Sequence, residues 1–204
     1  MTPDAFQAQT GVSRETMDRL RAYADLLEKW QPKINLVGPK TLPDLWSRHF
    51  LDSAQIFPLI PPDARVLVDF GSGAGFPGLV FAAMGVPEVH CVESDQRKAA
   101  FLREVCRVAA IPATIHGGRI ESLTPFAADV VSARALAPLD QLLELATPFL
   151  TPRTVCLFPK GQNVEAELTA THKIWNMQVT RHESLTDAGA TILALREVSR
   201  DQPT

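Results

Sequence analysis

The sequence predicts an α/β fold: a doubly wound, mostly parallel sheet with helices on both faces, preceded by an N-terminal helical extension. Three observations carry that prediction. Strand-like and helix-like stretches alternate from Val66 onward, as they do when crossover helices join parallel strands. The first strand runs straight into "VDFGSGAGFPG", which places four glycines in the eight residues 71–78. Before Val66 no convincing strand is found, and residues 1 to about 60 read as helices.

The elements follow in order. Ser13, with Thr16 nearby, is placed to cap a helix running to about Trp30. Met17, Leu20, Tyr23, Ala24, Leu27 and Trp30 recur on it at helical spacing. Pro32 and "NLVGPKT" break that pattern. Leu42 to Phe57 reads as a second short helical region, ended by Pro58. "RVLVDF" is the first strand, "LVFAAMG" the first crossover helix and "EVHCVES" the second strand. "DQRKAAFLREVCRVAA" is a helix capped by Asp95, with Ala99, Leu102, Val105, Cys106 and Ala109 on one face. "ATIHG" and "ADVVSA" are strands three and four, "LDQLLELATPFL" a helix and "TVCLFPK" strand five. A helix over about 161–173 and two strands near "IWNMQVTRH" and "ATILALREV" complete the chain, and "SRDQPT" is expected to be disordered. The expected division is an extension at 1–60 and a main domain at 61–200, forming a single compact unit, with no internal repeat.

Bulk properties narrow the function classes. The 204 residues can bury a sizeable core. Apolar residues make up 46% and charged residues 21%, an ordinary globular balance. A net charge of -3 argues against a protein coated in nucleic acid, so any such contact needs a local basic patch. Cys91, Cys106 and Cys156 lie far apart in apolar stretches, without a CxxC or Cys/His cluster. They read as reduced core residues, with no metal site and a cytoplasmic setting expected. The start "MTPDAFQAQTG" is polar and acidic, unlike a signal peptide. No apolar run approaches the ~20 residues that would span a membrane.

The glycine turn sits where doubly wound folds bind nucleotide-like ligands. Its glycines fall as Gly71-x-Gly73-x-Gly75, and Phe76 stands where a dinucleotide fingerprint wants its third glycine. A bulky Phe before Pro77 does not favour a pyrophosphate seat, and there is no GxxxxGK[ST]. The acidic-x-Gly-x-Gly-x-Gly run from Asp69 to Gly75 resembles motif I of class I S-adenosylmethionine-dependent methyltransferases. That ligand carries an amino-acid end and a sulfonium instead of phosphate, which suits an acid and bare backbone. Glu93 ends the second strand 24 residues after Asp69. It can accept both ribose hydroxyls of such a ligand, or simply belong to the next helix start. The resemblance to methyltransferases implies that the region after strand three, "GGRIES", lies by the adenine, so Ile120 and Glu121 are candidates there, with a plain loop as the competing reading.

A closer resemblance rests on five stretches in order: "LLEKWQPKINLVG", "LWSRHFLDS", "VDFGSGAGFPGL", "VVSARALAPL" and "FPKG". Together they resemble the family of ribosomal RNA small-subunit methyltransferase G, also called glucose-inhibited division protein B, over residues 26–197. The glycine loop is shared by many methyltransferases; the combination is specific. The resemblance implies S-adenosyl-L-methionine as cofactor and methylation of guanine N7 at one site in the 530 loop of 16S rRNA. Carried over by position, it implies cofactor contacts at Gly71, Phe76, Ile120, Glu121 and Arg134. Arg134 also lies after strand four, at the carboxyl edge where ligands sit in open α/β sheets.

The chemistry agrees by what the sequence lacks. Guanine N7 bears a lone pair and no proton, so positioning and electrostatics suffice and no general base is named. There is no Asp/Asn-Pro-Pro-aromatic motif after strand four and no Pro-Cys nucleophile. Candidate RNA contacts are Lys33, Lys40, Arg48, Arg119 and Lys160, each open to the reading of a solvated surface charge. Arg suits guanine and phosphate through its planar fork. Arg134 and Lys160, both at the carboxyl edge, are candidate positioning residues. Asn35 and His49 have structural readings, and Asp52 is placed to pair with Arg48 one turn earlier. The expected partner is 16S rRNA, naked or within the 30S subunit, bound by a monomer and away from membranes. The alternatives are a small-molecule class I methyltransferase, a nicotinamide-dependent oxidoreductase disfavoured by Phe76, and a non-catalytic RNA-binding or assembly factor.

Overall fold

The computed structural model describes residues 1–201. Seven strands form one sheet: β1 (Val66–Phe70), β2 (Glu88–Glu93), β3 (Thr114–Gly117), β4 (Val130–Ala133), β5 (Val155–Lys160), β6 (Trp175–Glu183) and β7 (Thr191–Arg200). Their order is β3-β2-β1-β4-β5-β7-β6. The first five run parallel, and β7 enters antiparallel between β5 and β6. The strand order reverses between β1 and β4, which opens a crevice at their carboxyl ends. Leu67, Val68, Val130, Val131, Val155 and Leu157 are fully buried. Central parallel strands are covered on both faces, so their apolar runs are continuous instead of alternating.

Helices cover both faces. One face carries α4 (Gly78–Met84) and α5 (Gln96–Val108), the other α6 (Leu139–Ala146) and α7 (Val164–Thr171). Asp95 caps α5 as expected, accepting from the Arg97 and Lys98 amides. The inward face of α5 is Ala99, Phe101, Leu102 and Val105. Cys106, expected in the core with the other thiols, is only half-buried at the rim of that face.

The N-terminal segment is α1 (Pro3–Thr10), α2 (Arg14–Trp30) and an irregular stretch. Ser13 caps α2 by accepting from the Thr16 amide. The expected helix over Leu42–Phe57 breaks into a 3-10 turn (Leu42–Asp44), a π-helical turn (Trp46–Leu51), the single turn α3 (Asp52–Ala54) and a 3-10 turn (Phe57–Leu59). Pro43 and Pro58 bound it, and the wider π turn buries His49, Phe50 and Leu51 in succession. Phe50 meets Phe6, Tyr23 and Phe76 edge-on and stacks on Trp46. Residues 1–60 therefore share one apolar core with the sheet instead of folding beside it.

At the other end, Ser199 and Arg200 belong to β7, paired with Asn176 and Trp175. They are ordered, contrary to the expectation for "SRDQPT"; residues 202–204 of that stretch lie outside the described residues. Among the described residues, no helix is long and apolar enough to cross a membrane.

Candidate active site at the carboxyl edge of the sheet

The glycine loop leaves β1 and bends over the crevice. Gly73 has φ +58° and Gly75 has φ +100°, a left-handed backbone that side chains resist. A Cβ on Gly75 would lie 2.5 Å from the Tyr23 Oη and 2.8 Å from Leu79 Cδ1. The loop is braced from below and behind. Glu93, at the end of β2, accepts from the Gly73 amide at 2.8 Å and from the Asp95 amide at 2.7 Å. Each carboxylate oxygen keeps a second lone pair for a further donor.

Asp69 is fully buried beneath the loop rather than on its open side. Its Oδ1 accepts from the Ser132 hydroxyl at 2.7 Å. Its Oδ2 has no partner among the described residues. Burial pushes its carboxyl up to about 6, partly countered by the Ser132 hydrogen bond. Its side chain thus bridges β1 and β4 beneath the glycine loop. Phe76 is interior too, 3% exposed. It stacks on Tyr23 and meets His49 and Phe50. The Arg134 guanidinium lies over its ring, 5.4 Å from the centroid.

Arg134 follows β4 and is gripped from the N-terminal segment. Nη1 lies 3.1 Å from Asp52 Oδ2, and Nη2 lies 3.1 Å from His49 Nδ1. Asp52 therefore pairs with Arg134 and not with Arg48, because α3 turns its carboxylate toward the sheet edge. Arg48 instead donates to the Thr186 carbonyl at 3.2 Å and reaches Asp187 at 3.5 Å. Burial, reinforced by the Arg134 charge, lowers the His49 pKa to about 4, so the imidazole is neutral at physiological pH.

Two cavities meet at Leu136. The larger, about 710 Å³, is lined by Arg48, His49, Asp52, Arg134 and Lys160 among others. The smaller, about 240 Å³, is lined by Gly71, Ser94, Arg119, Ile120 and Glu121. Leu136 borders both, and its Cδ1 lies 2.7 Å from where a Gly71 Cβ would be. Ala135 beside it has φ +53°, an uncommon conformation for a side-chain-bearing residue.

The candidate residues thus divide. Gly71, Arg119, Ile120 and Glu121 come together around the smaller cavity, and Arg48 and Arg134 around the larger. Lys33 and Lys40 are exposed and border neither. Lys160 is buried, and its ammonium donates to the Ala137 carbonyl and to Glu167 Oε2, each at 2.8 Å. That same Glu167 oxygen accepts from the Leu139 amide at the start of α6. Lys160 therefore ties β5 to α6 and α7 at the wall of the larger cavity. Tyr23, Asp52 and Leu136 were missed as site residues. Each looks like an ordinary core, surface or loop residue locally, and only a buried Tyr hydroxyl's need for a partner hints otherwise.

The sheet order, the braced glycine loop after β1 and the paired cavities across the β1–β4 switch point define a class I S-adenosylmethionine-dependent methyltransferase fold. A family model for rRNA small subunit methyltransferase G matches residues 16–195, and the chain belongs to that family. It is 62% identical over 200 residues to the Ribosomal RNA small subunit methyltransferase G of Paramagnetospirillum magneticum, covering 98% of each chain. It is 54% identical over 200 residues to that of Rhodospirillum rubrum, covering 98% of this chain and 100% of the other. Solved structures share the fold at low identity. A ribosomal protein L11 methylase from Lactobacillus delbrueckii subsp. bulgaricus has TM-score 0.58 at 14% identity, over 74% of this chain and 77% of that one. The TYW2 protein of M. jannaschii, solved with AdoMet, has TM-score 0.57 at 15% identity, over 76% and 78%.

Proposed function

We propose that this chain transfers a methyl group from S-adenosyl-L-methionine to N7 of one guanine in the 530 loop of 16S rRNA, in the cytoplasm. The observation that carries the reading is the paired cavity. A guanidinium, Arg134, lines one cavity and Ile120–Glu121 the other, and the two meet at Leu136 and Ala137, with Gly71 beneath Leu136. These residues fit the donor: Arg134 suits its carboxylate, and Ile120 with Glu121 offers an apolar surface and an acceptor to the adenine. The free lone pairs of Glu93 suit the ribose hydroxyls. Nothing there resembles a phosphate cradle.

The bound donor supplies an electrophilic methyl on a sulfonium sulfur. The guanine N7 lone pair forms the new C–N bond as the C–S bond breaks. The sulfur becomes a neutral thioether and the positive charge moves to the purine. No proton is transferred, so the chain's task is to orient the two reactants and exclude water. Arg48, Arg119, Lys33 and Lys40 are exposed and supply the cationic surface for the rRNA backbone. Belonging to the methyltransferase G family supports the rRNA part of the reading.

The test is transfer of tritiated methyl from S-adenosylmethionine to 16S rRNA and to 30S subunits lacking the modification, followed by nucleoside analysis. A single 7-methylguanosine in the 530 loop is expected. Methylation of another base or position overturns the N7 assignment. Donor binding with transfer to neither RNA redirects the search to small-molecule acceptors.

A further inference from the structure

Arg134 is the end of a hydrogen-bonded chain that begins in the N-terminal segment. The Thr41 hydroxyl donates to the Gly38 carbonyl at 2.8 Å. Its proton is thereby used, so at 2.8 Å it accepts from His49 Nε2. That fixes the tautomer: the imidazole carries its proton on Nε2 and presents a lone pair on Nδ1. Arg134 Nη2 donates to that lone pair at 3.1 Å. Asp52 takes the other terminal nitrogen, Nη1, and is itself held by the Thr186 hydroxyl and by Gln55 Nε2 at 3.1 Å. His49 is 8% exposed and its ring lies 5.1 Å from that of Phe76, so it has little room to turn away.

A guanidinium on a flexible side chain would otherwise sample many rotamers, and ordering it on ligand binding costs affinity. Here two acceptors on different elements fix both arms of the fork above Phe76. We propose that His49 is a positioning residue: its neutral Nδ1, together with Asp52, holds Arg134 in the orientation that receives the donor's carboxylate. The proposal rests on the reading of Arg134 as a donor contact. Through Thr41 it also ties the "NLVGPKT" turn to the site, although that turn borders the cavity only at Thr41.

The experiment is calorimetric titration of S-adenosylmethionine into the full chain and its variants, each checked for an unchanged melting profile. Arg134→Ala is expected to weaken binding at least about tenfold. His49→Gln places its amide near the Nε2 position, keeps the Thr41 contact and loses the Arg134 contact; it is expected to weaken binding about tenfold. His49→Asn places its amide oxygen near the Nδ1 position and is expected to stay within about threefold of the parent. In an Arg134→Ala background, His49→Gln is expected to add no further loss, since it acts through the missing guanidinium. Weak binding by Arg134→Ala with parental binding by His49→Gln would overturn the positioning role and leave Arg134 as a contact. Weakening by His49→Gln that persists without Arg134 would overturn it too, as a packing effect. Parental binding by Arg134→Ala would remove the contact and the proposal together.

Discussion

Tyr23, midway along α2, donates its phenolic hydrogen to the carbonyl of Ala74 in the glycine loop, a hydrogen bond that links residues 51 apart in sequence. The residue is fully buried, and burial pushes its phenol pKa up, so it stays a donor. Tyr23→Phe keeps the stack on Phe76 and leaves the Ala74 carbonyl unpaired. A stability loss of about 1–3 kcal/mol is expected, together with weaker donor binding, read by chemical denaturation and calorimetry. A loss of stability with parental donor affinity would show that the loop does not need this tie to bind.

Leu136 sits between the two cavities, 39% exposed, pressed over Gly71. A ligand reaching from Arg134 to Ile120 must pass it. Leu136→Ala is expected to cost under about 1 kcal/mol of stability, because the side chain is only partly buried. Association of the donor should become severalfold faster in stopped-flow measurements. Slower binding or a raised dissociation rate would mean that Leu136 packs on the ligand instead of obstructing it.

Lys160 separates two roles by salt. If its ammonium serves Ala137 and Glu167, Lys160→Met lowers stability by about 2 kcal/mol through the orphaned carbonyl and carboxylate. The salt dependence of 16S rRNA binding should keep its slope, because no phosphate contact is lost. Arg119→Ala, by contrast, is expected to flatten that slope while leaving the melting temperature in place. The reverse pattern would return Lys160 to the RNA surface.

Acid affects two buried groups in opposite directions. His49 has a lowered pKa of about 4 beside Arg134, Arg48 and Asp52. The unfolded chain therefore binds the extra proton first, and this contribution to stability falls as pH drops from about 6.5 to 4. Asp69, pushed up to about 6, binds its proton first in the folded state, so its contribution rises over much the same range. His49→Asn removes only the first effect. Relative to that variant, the parent is expected to lose up to about 3 kcal/mol between pH 6.5 and pH 4 in denaturant titrations. A pH-independent difference would show that His49 is not held neutral by the fold.

The strands and crossover helices of residues 66–171 were legible because each is specified locally. Apolar runs, the Asp95 cap and the glycine turn need no distant partner to be recognised. The glycine loop and Arg134 could be named as candidates because each sits on a motif or at a strand end, whereas Ile120–Glu121 were named from the resemblance to methyltransferases. The stretch Leu42–Phe57 was misread as an ordinary helical region. Its composition is helical, but tertiary packing draws Phe50 into the Tyr23–Phe76 aromatic cluster and imposes the wider turn.

Side-chain roles diverged most where partners come from distant parts of the chain. Asp52 has Arg48 one turn away, yet it pairs with Arg134, 82 residues on, because the sheet edge offers a half-buried cation in a drier setting. Lys160 has the composition of an RNA contact and the surroundings of a structural tie. The sequence by itself determined the fold class, which follows from local periodicity, and its ordered motifs carried the resemblance to the methyltransferase G family and marked the carboxyl edge of the sheet as the candidate site. Only the tertiary structure decided which charges face solvent, which hold one another and which tautomer His49 adopts. Those outcomes depend on burial and on hydrogen-bond partners that sequence spacing does not encode.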